Sequence, residues 1–197
     1  MRYHQKNSHR LHQHCKGECV MNLHFTYADK NSLDEILPSL FEILHNNMSV
    51  IAPTGNSYED DFSLWFSNVR PAMEKEARQI VLMYDDGVLT GYFQYYVNGG
   101  TFMMEEIQIK REFHGTGIFS AFYSWLVGQL PVGIEYVEAY AHKNNCKSQG
   151  ILEHLGLDRT ENCGNGNSYH YKGSYKSLLD KYLLKGMSTK NEQCSNS

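Results

Sequence analysis

Residues 105–120 read Glu105-Glu-Ile-Gln-Ile-Lys-Arg-Glu-Phe-His-Gly-Thr-Gly-Ile-Phe-Ser120. The segment predicts a strand that leads into a glycine-containing turn, followed by a helix over Gly115–Val127. The first backbone N–H groups of a helix have no partner within it and lie at the positive end of its dipole, so such a turn favours phosphate groups. Glycine also lets the backbone approach a ligand without an intervening Cβ.

Three strands come before this turn. Alternating or continuous apolar residues predict strands over Gln79–Tyr84, Val88–Val97 and Thr101–Lys110. Asp85-Asp86-Gly87 and Asn98-Gly99-Gly100 lie between them, and both are typical of tight hairpins. The block therefore predicts an antiparallel meander.

The flanking segments supply the other elements. Residues 22–27 alternate as a strand, Ser32 and Glu35 form a capping box before a first helix, and Ser57 caps a second. Pro38 predicts a kink or a shortened first helix. Downstream we expect a strand over 134–141, a helix over 145–155 that ends at Gly156, a hairpin of 157–163 with 169–172, and a helix over 174–185. The order β-α-α-β-β-β-α-β-α-β-β predicts an α/β (or α+β) fold with a mixed, mostly antiparallel sheet.

Composition and charge limit the classes of partner. The 197 residues fit one domain, and 13% aromatic content excludes a disordered chain. The net charge of −4 divides into +3 for residues 1–20 and −7 for the remainder. That acidity disfavours nucleic acid and suits a cationic ligand, while the lack of long apolar runs disfavours a membrane partner. Five scattered cysteines favour a reducing, cytoplasmic compartment.

The ends of the chain differ from its body. Residues 1–20 lack periodicity, so we predict a disordered leader, a domain over 21–185 and a polar tail over 186–197. The leader is alternatively an artefact of start-site choice, because Met21 opens the first ordered-looking segment. A metal site is a further alternative, although no structural zinc spacing is matched and none is predicted. Its candidate ligands are His9, His12, His14, Cys15 and Cys19.

Two common nucleotide-binding patterns fit the turn poorly. A Walker loop needs Lys-Ser/Thr after its second glycine, where Ile118-Phe119 stands. Gly115-x-Gly117-x-x-Ser120 approximates the dinucleotide fingerprint, and Glu135 and Glu138 lie about twenty residues on. That fold requires alternating strands and helices, however, whereas here the turn follows a meander, so we reject it.

The arrangement resembles the GNAT superfamily of acyl-CoA-dependent N-acetyltransferases, in element order over roughly residues 22–172. The family's Gln/Arg-x-x-Gly-x-Gly/Ala motif is similar to His114-Gly-Thr-Gly117-Ile-Phe119. His114 replaces the usual Gln/Arg, and Phe119 replaces the final small residue, so that either the helix start is displaced or the pyrophosphate sits differently. A second motif, Asn145-x-x-Ser148 through Leu155-Gly156-Leu157, has the family's spacing.

The resemblance implies acetyl-CoA as co-substrate. Ile107, Gln108 and Ile109 would pair with the pantetheine arm, and Asn145, with Ser148 in the same motif, would lie near it. Lys143 and Lys147 are candidates for the 3′-phosphate. The pyrophosphate would be held by the turn and helix start, namely His114, Gly115, Thr116, Gly117, Ile118, Phe119 and Ser120.

The implied reaction is direct attack of an amine on the thioester. A protonated amine needs a base, for which we favour Glu106 with Glu105 as the fallback. A backbone N–H near Ile109 would stabilise the oxyanion. Leu152 stands where the family often has a Tyr that protonates the leaving thiolate, so the proton would come from solvent or from another residue. The candidates are Tyr140, His142, Tyr169 and Tyr171, and of these we predict Tyr171 as catalytic.

The acceptor is less constrained by sequence. We expect a small-molecule primary amine, with protein or peptide N-termini or a catalytically silent acyl-CoA-binding module as alternatives, and leave a homodimer open. Glu59, Asp60 and Asp61 begin the second helix and either recruit a cation or simply favour the helix N-terminus.

Overall fold

Strands and helices follow the predicted order in the computed structural model, which describes residues 21–75, 78–161 and 166–182. Both chain ends outside these ranges, including the five candidate metal ligands of the leader and residues 183–185 of the last predicted helix, lie outside the described residues. The strands are β1 (Leu23–Tyr27), β2 (Gln79–Asp85), β3 (Val88–Asn98), β4 (Thr101–Ile109), β5 (Tyr136–His142), β6 (Asp158–Arg159) and β7 (Ser168–Ser174). The helices are α1 (Leu33–Met48), α2 (Tyr58–Lys75), α3 (Ile118–Leu126), α4 (Cys146–His154) and α5, which covers residues 175–182 at the end of the described chain.

The seven strands form one mixed sheet in the order β1-β2-β3-β4-β5-β7-β6. All neighbours are antiparallel except β4 and β5, which pair in parallel. A parallel pair needs a crossover, and α3 supplies it. The predicted fold class is therefore confirmed.

Two apolar cores cover the two faces of the sheet, as the side-chain alternation of β3 shows. Phe93 points to one face, where it packs with Phe122 of α3 and with residues of α4 and α5. Tyr92 points to the other, where it packs with Leu40 of α1 and residues of α2. Each layer of helices thus buries one side of the central strands.

Both predicted hairpins form because the turn residues accept positive φ. Asp86 and Gly87 have φ values of 47° and 79°, and Gly99 and Gly100 have values of 54° and 77°. Two consecutive residues with positive φ match the right-handed twist of the flanking strands. The meander of β2, β3 and β4 is confirmed.

The predicted capping box of α1 is wrong. The chain enters α1 through a 3-10 turn, Lys30–Ser32, which leaves Ser32 at φ −112° and ψ 17° without a side-chain cap bond. A capping side chain needs extended backbone at its own residue. Asp29 caps the 3-10 turn instead, accepting from the Asn31 N–H at 3.0 Å. Helical structure also continues through Pro38, so α1 is not shortened there.

Other boundaries differ by a few residues. The helix predicted from Gly115 begins at Ile118, because Gly115 and Gly117 have φ values of 80° and 92°. Ser57 caps α2 as predicted, with its Oγ accepting from the Asp60 N–H at 3.1 Å. None of the helices within the described ranges is long and apolar enough to cross a lipid bilayer.

At Gly91 the backbones of β3 and β4 lie too close together to admit a side chain. A Cβ at this position would lie 2.4 Å from the carbonyl oxygen of Gln108, an impossible contact with backbone. We expect Gly91→Ala to lower the free energy of unfolding by about 1–3 kcal/mol, as overpacking does. Urea denaturation measures the effect.

Gly150→Ala is the matched control. Gly150 lies within α4, and a Cβ there meets no atom within 4 Å. Alanine is the better helix former, so this variant should gain about 0.5–1 kcal/mol. Equal effects of the two variants would contradict the close approach of β3 and β4.

Candidate active site

A β-bulge in β4 organises the centre of the molecule. Gln94 of β3 pairs with Glu106, whereas the next residue, Tyr95, pairs with Met104, so Glu105 is one residue in excess. Pairing of β4 with β5 runs only from Thr101 and Tyr136 to Met104 and Ala139. Beyond the bulge the two parallel strands therefore diverge, and a gap opens in the sheet.

Peptide groups of β4 face this gap. The Lys110 N–H donates to the Thr90 carbonyl at 2.8 Å, so Lys110 faces β3. Hydrogen-bonding direction alternates along an antiparallel pair, which turns the peptide groups of Ile107 and Ile109 away from β3. Accordingly, the Ile109 carbonyl accepts from side chains instead: Asn47 Nδ2 at 3.0 Å and His114 Nε2 at 2.9 Å.

The glycine turn brings the start of α3 to the end of β4. A 3-10 turn, Arg111–Phe113, precedes Gly115 and Gly117, and the first helical bond runs from the Ala121 N–H to the Gly117 carbonyl. The N–H groups of residues 118–120 thus remain at the helix start without helical partners. A Cβ on either glycine meets no atom within 4 Å, so glycine is required by positive φ and not by lack of space.

These parts line a cleft of about 770 Å³. Two predicted co-substrate-binding residues, Thr116 and Lys143, lie outside the lining. The Thr116 hydroxyl donates to the Phe113 carbonyl at 2.8 Å and closes the turn, and Lys143 Nζ lies 5.5 Å from the ring centroid of Tyr169. The predicted residues that do line the cleft are Ile107, Gln108, Ile109, His114, Gly115, Gly117, Ile118, Phe119, Ser120, Asn145 and Ser148.

The structure shows where Phe119 and His114, the two residues that depart from the family motif, lie. Phe119 lines the cleft with its ring against Tyr123, at a centroid distance of 4.6 Å, one helical turn further along α3. His114 accepts at Nδ1 from the Lys147 ammonium at 2.8 Å. Since Nε2 donates to the Ile109 carbonyl, His114 has its proton on Nε2. Lys147 thus adds a cation from α4 to the wall of the cleft.

Sequence reasoning missed the part of the cleft that comes from other elements. The end of α1 and the following loop contribute Asn47, Met48, Val50 and Ile51, and α5 contributes Tyr182. These residues belong to no motif, and no local signal places them near the glycine turn. Further lining residues are Arg111, Phe113, Ile151 and His154.

The bulge directs both predicted carboxylates to the α1 face of the sheet. Glu105 Oε1 pairs with Arg78 Nη2 at 2.8 Å, and its Oε2 accepts from Gln94 Nε2 at 3.0 Å. Glu106 Oε1 accepts from Gln108 Nε2 at 3.1 Å. The two neighbouring carboxylates therefore have different partners, a strong cation for Glu105 and a neutral amide for Glu106.

Burial raises the pKa of Glu106 to about 7, and the charge of Glu105 adds to the increase. The Gln108 amide and the Tyr92 hydroxyl act in the opposite direction. The Tyr92 hydroxyl lies near enough to influence the carboxyl without completing a hydrogen bond to it. Part of the Glu106 side chain remains accessible, although Gln108, and not Glu106, forms the wall of the cleft.

The predicted acid candidates lie away from the cleft. Tyr171 is 0% exposed within the core of the α3 face, and burial raises its pKa. Tyr140 stacks on His170 at 4.8 Å, the His142 ring accepts from the Asn144 N–H, and Tyr169 packs under Arg159 at 3.8 Å. Leu152 is a core residue, as its side chain type suggests.

The acidic start of α2 serves the helix itself. Asp61 accepts from Thr54 Oγ1 at 2.6 Å and from Asn56 Nδ2 at 2.9 Å, and the Thr54 bond lowers its pKa most. Asp60 accepts from Ser57 Oγ at 2.9 Å. These bonds favour the structural interpretation of Glu59-Asp60-Asp61 over recruitment of a cation.

Comparison with solved structures identifies the fold. An N-acetyltransferase from Thermoplasma acidophilum in complex with coenzyme A superposes with a TM-score of 0.61 at 12% identity, covering 79% of this chain and 100% of that one. A Desulfovibrio desulfuricans protein described as a GNAT-family acetyltransferase gives 0.58 at 13%, covering 77% and 98%. A mutant spermidine/spermine N-acetyltransferase from Vibrio cholerae gives 0.53 at 15%, covering 81% and 97%.

The chain therefore has the fold of the GNAT acetyltransferases, as its sequence resemblance implied. Neither a protein-family model nor a curated protein sequence matches it. Among the described residues, no group of three or more His, Cys, Asp or Glu side chains is placed to hold a metal ion.

The raised pKa of Glu106 makes stability depend on pH. Between about pH 4 and pH 7 the folded chain keeps a proton that the unfolded chain has released, so the free energy of unfolding falls as pH rises through this window. Glu106→Gln removes this dependence, and we expect its stability relative to wild type to increase by about 2–3 kcal/mol from pH 5 to pH 8. Urea denaturation at both pH values measures it.

Glu105→Gln is the comparison, because it removes the neighbouring carboxylate together with its ion pair to Arg78. Its effect should be destabilising at pH 8. A Glu106→Gln stability difference that is the same at pH 5 and pH 8 would contradict the raised pKa.

Proposed function

We propose that this chain is an acetyl-CoA-dependent N-acetyltransferase that transfers an acetyl group to a primary amine of a small molecule by direct attack. One observation carries the proposal: the free edge of β4 and the glycine-started α3 meet in one cleft, with a carboxyl of raised pKa behind its wall. The shared GNAT fold supports the same reaction class. The product thiol suits the reducing cytoplasmic compartment expected from the cysteines.

The cleft offers suitable groups along the length of acetyl-CoA. The outward N–H and carbonyl groups of Ile107 and the N–H of Ile109 would pair with the pantetheine arm as an added strand, while the Ile109 carbonyl keeps its two side-chain donors. The N–H groups at the start of α3 would bind the pyrophosphate, with Lys147 adding positive charge. Met48, Val50 and Ile51 give the cleft an apolar wall beside the β4 edge.

Glu106 suits the role of base at neutral pH. A typical aliphatic amine has a pKa near ~10.4 and arrives protonated, so a proton must leave before attack. A carboxyl with a pKa of about 7 accepts that proton far better than an ordinary carboxylate. Because Gln108 separates Glu106 from the cleft, we expect the proton to pass through an intervening water molecule.

The attacking nitrogen then forms a bond to the thioester carbonyl carbon. The negative oxygen of the tetrahedral intermediate would be stabilised by a backbone N–H near Ile109. Collapse of the intermediate breaks the C–S bond; the bound nitrogen releases its excess proton to solvent, and the thiolate takes a proton from solvent or an acid. Tyr182, which lines the cleft, is better placed for that step than the four candidates from sequence, including Tyr171.

The acceptor is proposed as a small amine on two grounds. The body of the chain carries a net charge of −7, which attracts a cationic molecule. The Vibrio cholerae protein with this fold acts on spermidine and spermine, both small amines. If no small amine in a panel is acetylated, the alternatives are acetylation of protein N-termini and a catalytically silent acyl-CoA-binding role.

Binding of the co-substrate is tested at Gly117. An alanine at φ 92° costs about 1–2 kcal/mol and displaces the N–H groups at the start of α3. We expect Gly117→Ala to weaken coenzyme A binding at least tenfold in isothermal titration calorimetry. Gly133→Ala is the control and should bind like wild type. Gly133 has a φ of 87° and lies in the loop before β5, whereas the cleft lies near the end of β5 that leads into α4.

At a coenzyme A concentration about 100-fold above an expected micromolar Kd, binding should stabilise the wild-type protein against heat by about 2.7 kcal/mol. A wild-type protein that is not stabilised under these conditions would contradict the proposed binding. Equal weakening in the two glycine variants would place the site elsewhere.

Catalysis is tested by separating the two carboxylates. On an amine that wild type acetylates, Glu106→Gln should lower kcat/KM by about 10²–10⁴-fold, because the base is lost. The wild-type profile of kcat/KM should rise with pH through about 7, where Glu106 ionises. Thiol release from acetyl-CoA measures both.

Glu105→Gln is the matched variant, with the same chemical change one residue away. It should keep most of the activity and retain the acidic limb of the pH profile. The reverse order of effects would make Glu105 the base, and unchanged kcat/KM in Glu106→Gln would refute the assignment.

A further inference from the structure

Asn47 connects the end of α1 to the base through a chain of amide groups. Its Nδ2 donates to the Ile109 carbonyl at 3.0 Å and to Gln108 Oε1 at 2.9 Å. Gln108 Nε2 in turn donates to Glu106 Oε1 at 3.1 Å. Gln108 is buried, and both amides line the cleft.

The direction of this chain follows from its fixed end. A backbone carbonyl only accepts hydrogen bonds, so the Ile109 oxygen requires the NH₂ group of Asn47 on its side. The same NH₂ group then faces Gln108 and binds its oxygen. Gln108 is thereby left with its NH₂ group toward Glu106, which is the orientation that favours a negatively charged carboxylate.

We propose that Asn47 is a positioning residue for the reaction: acting through Gln108, it holds a hydrogen-bond donor against Glu106 and keeps that side chain available as a base. The inference rests on the proposed function for its catalytic meaning. The hydrogen-bond chain itself can be measured without any substrate.

The other groups around Glu106 show why this donor matters. β3 contributes the Tyr92 hydroxyl, and β4 contributes the Glu105 carboxylate, whose charge is balanced by Arg78 from the segment before β2. α1 contributes the neutral Asn47. Burial and Glu105 both oppose ionisation, so the Gln108 donor is a main interaction in its favour. A Gln108 side chain without Asn47 has no fixed orientation and can turn its oxygen to the carboxylate.

The experiment is a ¹³C NMR titration of the chain labelled at glutamate side-chain carboxyl carbons, with the Glu106 signal assigned by its loss in Glu106→Gln. In Asn47→Ala the midpoint for Glu106 should rise by about one pH unit relative to wild type. Asn46→Ala is the matched control, since its exposed side chain is the neighbouring asparagine on α1, and it should leave the midpoint unchanged. An unchanged midpoint in Asn47→Ala overturns the proposal.

Gln108→Leu tests the route, and it keeps the proposal falsifiable if Asn47→Ala does not fold. Its midpoint should also rise, and adding Asn47→Ala to it should produce no further change. A further increase in the double variant would show that Asn47 acts by another path and would overturn the proposed route.

Kinetics supply the catalytic part. On an accepted amine, the acidic limb of kcat/KM in Asn47→Ala should move upward by the same interval as the NMR midpoint, so that the loss relative to wild type is larger at pH 6 than at pH 9. A uniform loss at all pH values would overturn the positioning role in favour of a structural one. If the wild-type protein acetylates no amine, the proposed function is wrong, and the NMR titration still shows whether Asn47 acts on Glu106 through Gln108.

Discussion

The bulge at Glu105 is the constraint on which the rest of the site depends. One extra residue in β4 ends its pairing with β5 after Met104, although the two strands remain in one sheet. A parallel pair that continued would have used the outward peptide groups of Ile107 and Ile109. Because the strands diverge, those groups face a cleft that the glycine turn and α4 complete.

The same bulge separates the roles of two neighbouring carboxylates. In a regular strand Glu105 and Glu106 would point to opposite faces, and one of them would enter the core of the α3 face. The extra residue lets both reach the face that carries Gln94 and Gln108. Arg78 balances the first charge, which leaves the half-buried Glu106 as the carboxyl whose pKa rises to about 7.

Much of the fold followed from local sequence, for reasons visible in the turns. Asp86-Gly87 and Gly99-Gly100 accept positive φ where few other residues do, so the hairpins and the meander were predictable. The helix predicted over 145–155 forms as α4, and Asn145 caps it by accepting from the Ser148 N–H at 3.0 Å. The capping box at Ser32 failed because a preceding 3-10 turn changed the backbone at that residue, which side-chain type alone does not reveal.

The candidate site likewise combines parts that depend on local sequence with parts that depend on tertiary contacts. The sequence by itself determined the glycine turn and the start of α4, because each depends on residues close together in the chain. Only the tertiary structure decided which side chains complete the cleft: Asn47 lies 61 residues from Gln108 and still binds it. Tertiary packing also places Tyr171 in the core and away from the cleft. Side-chain alternation along β7 turns its ring toward the α3 face, and burial of the ring there stabilises the fold.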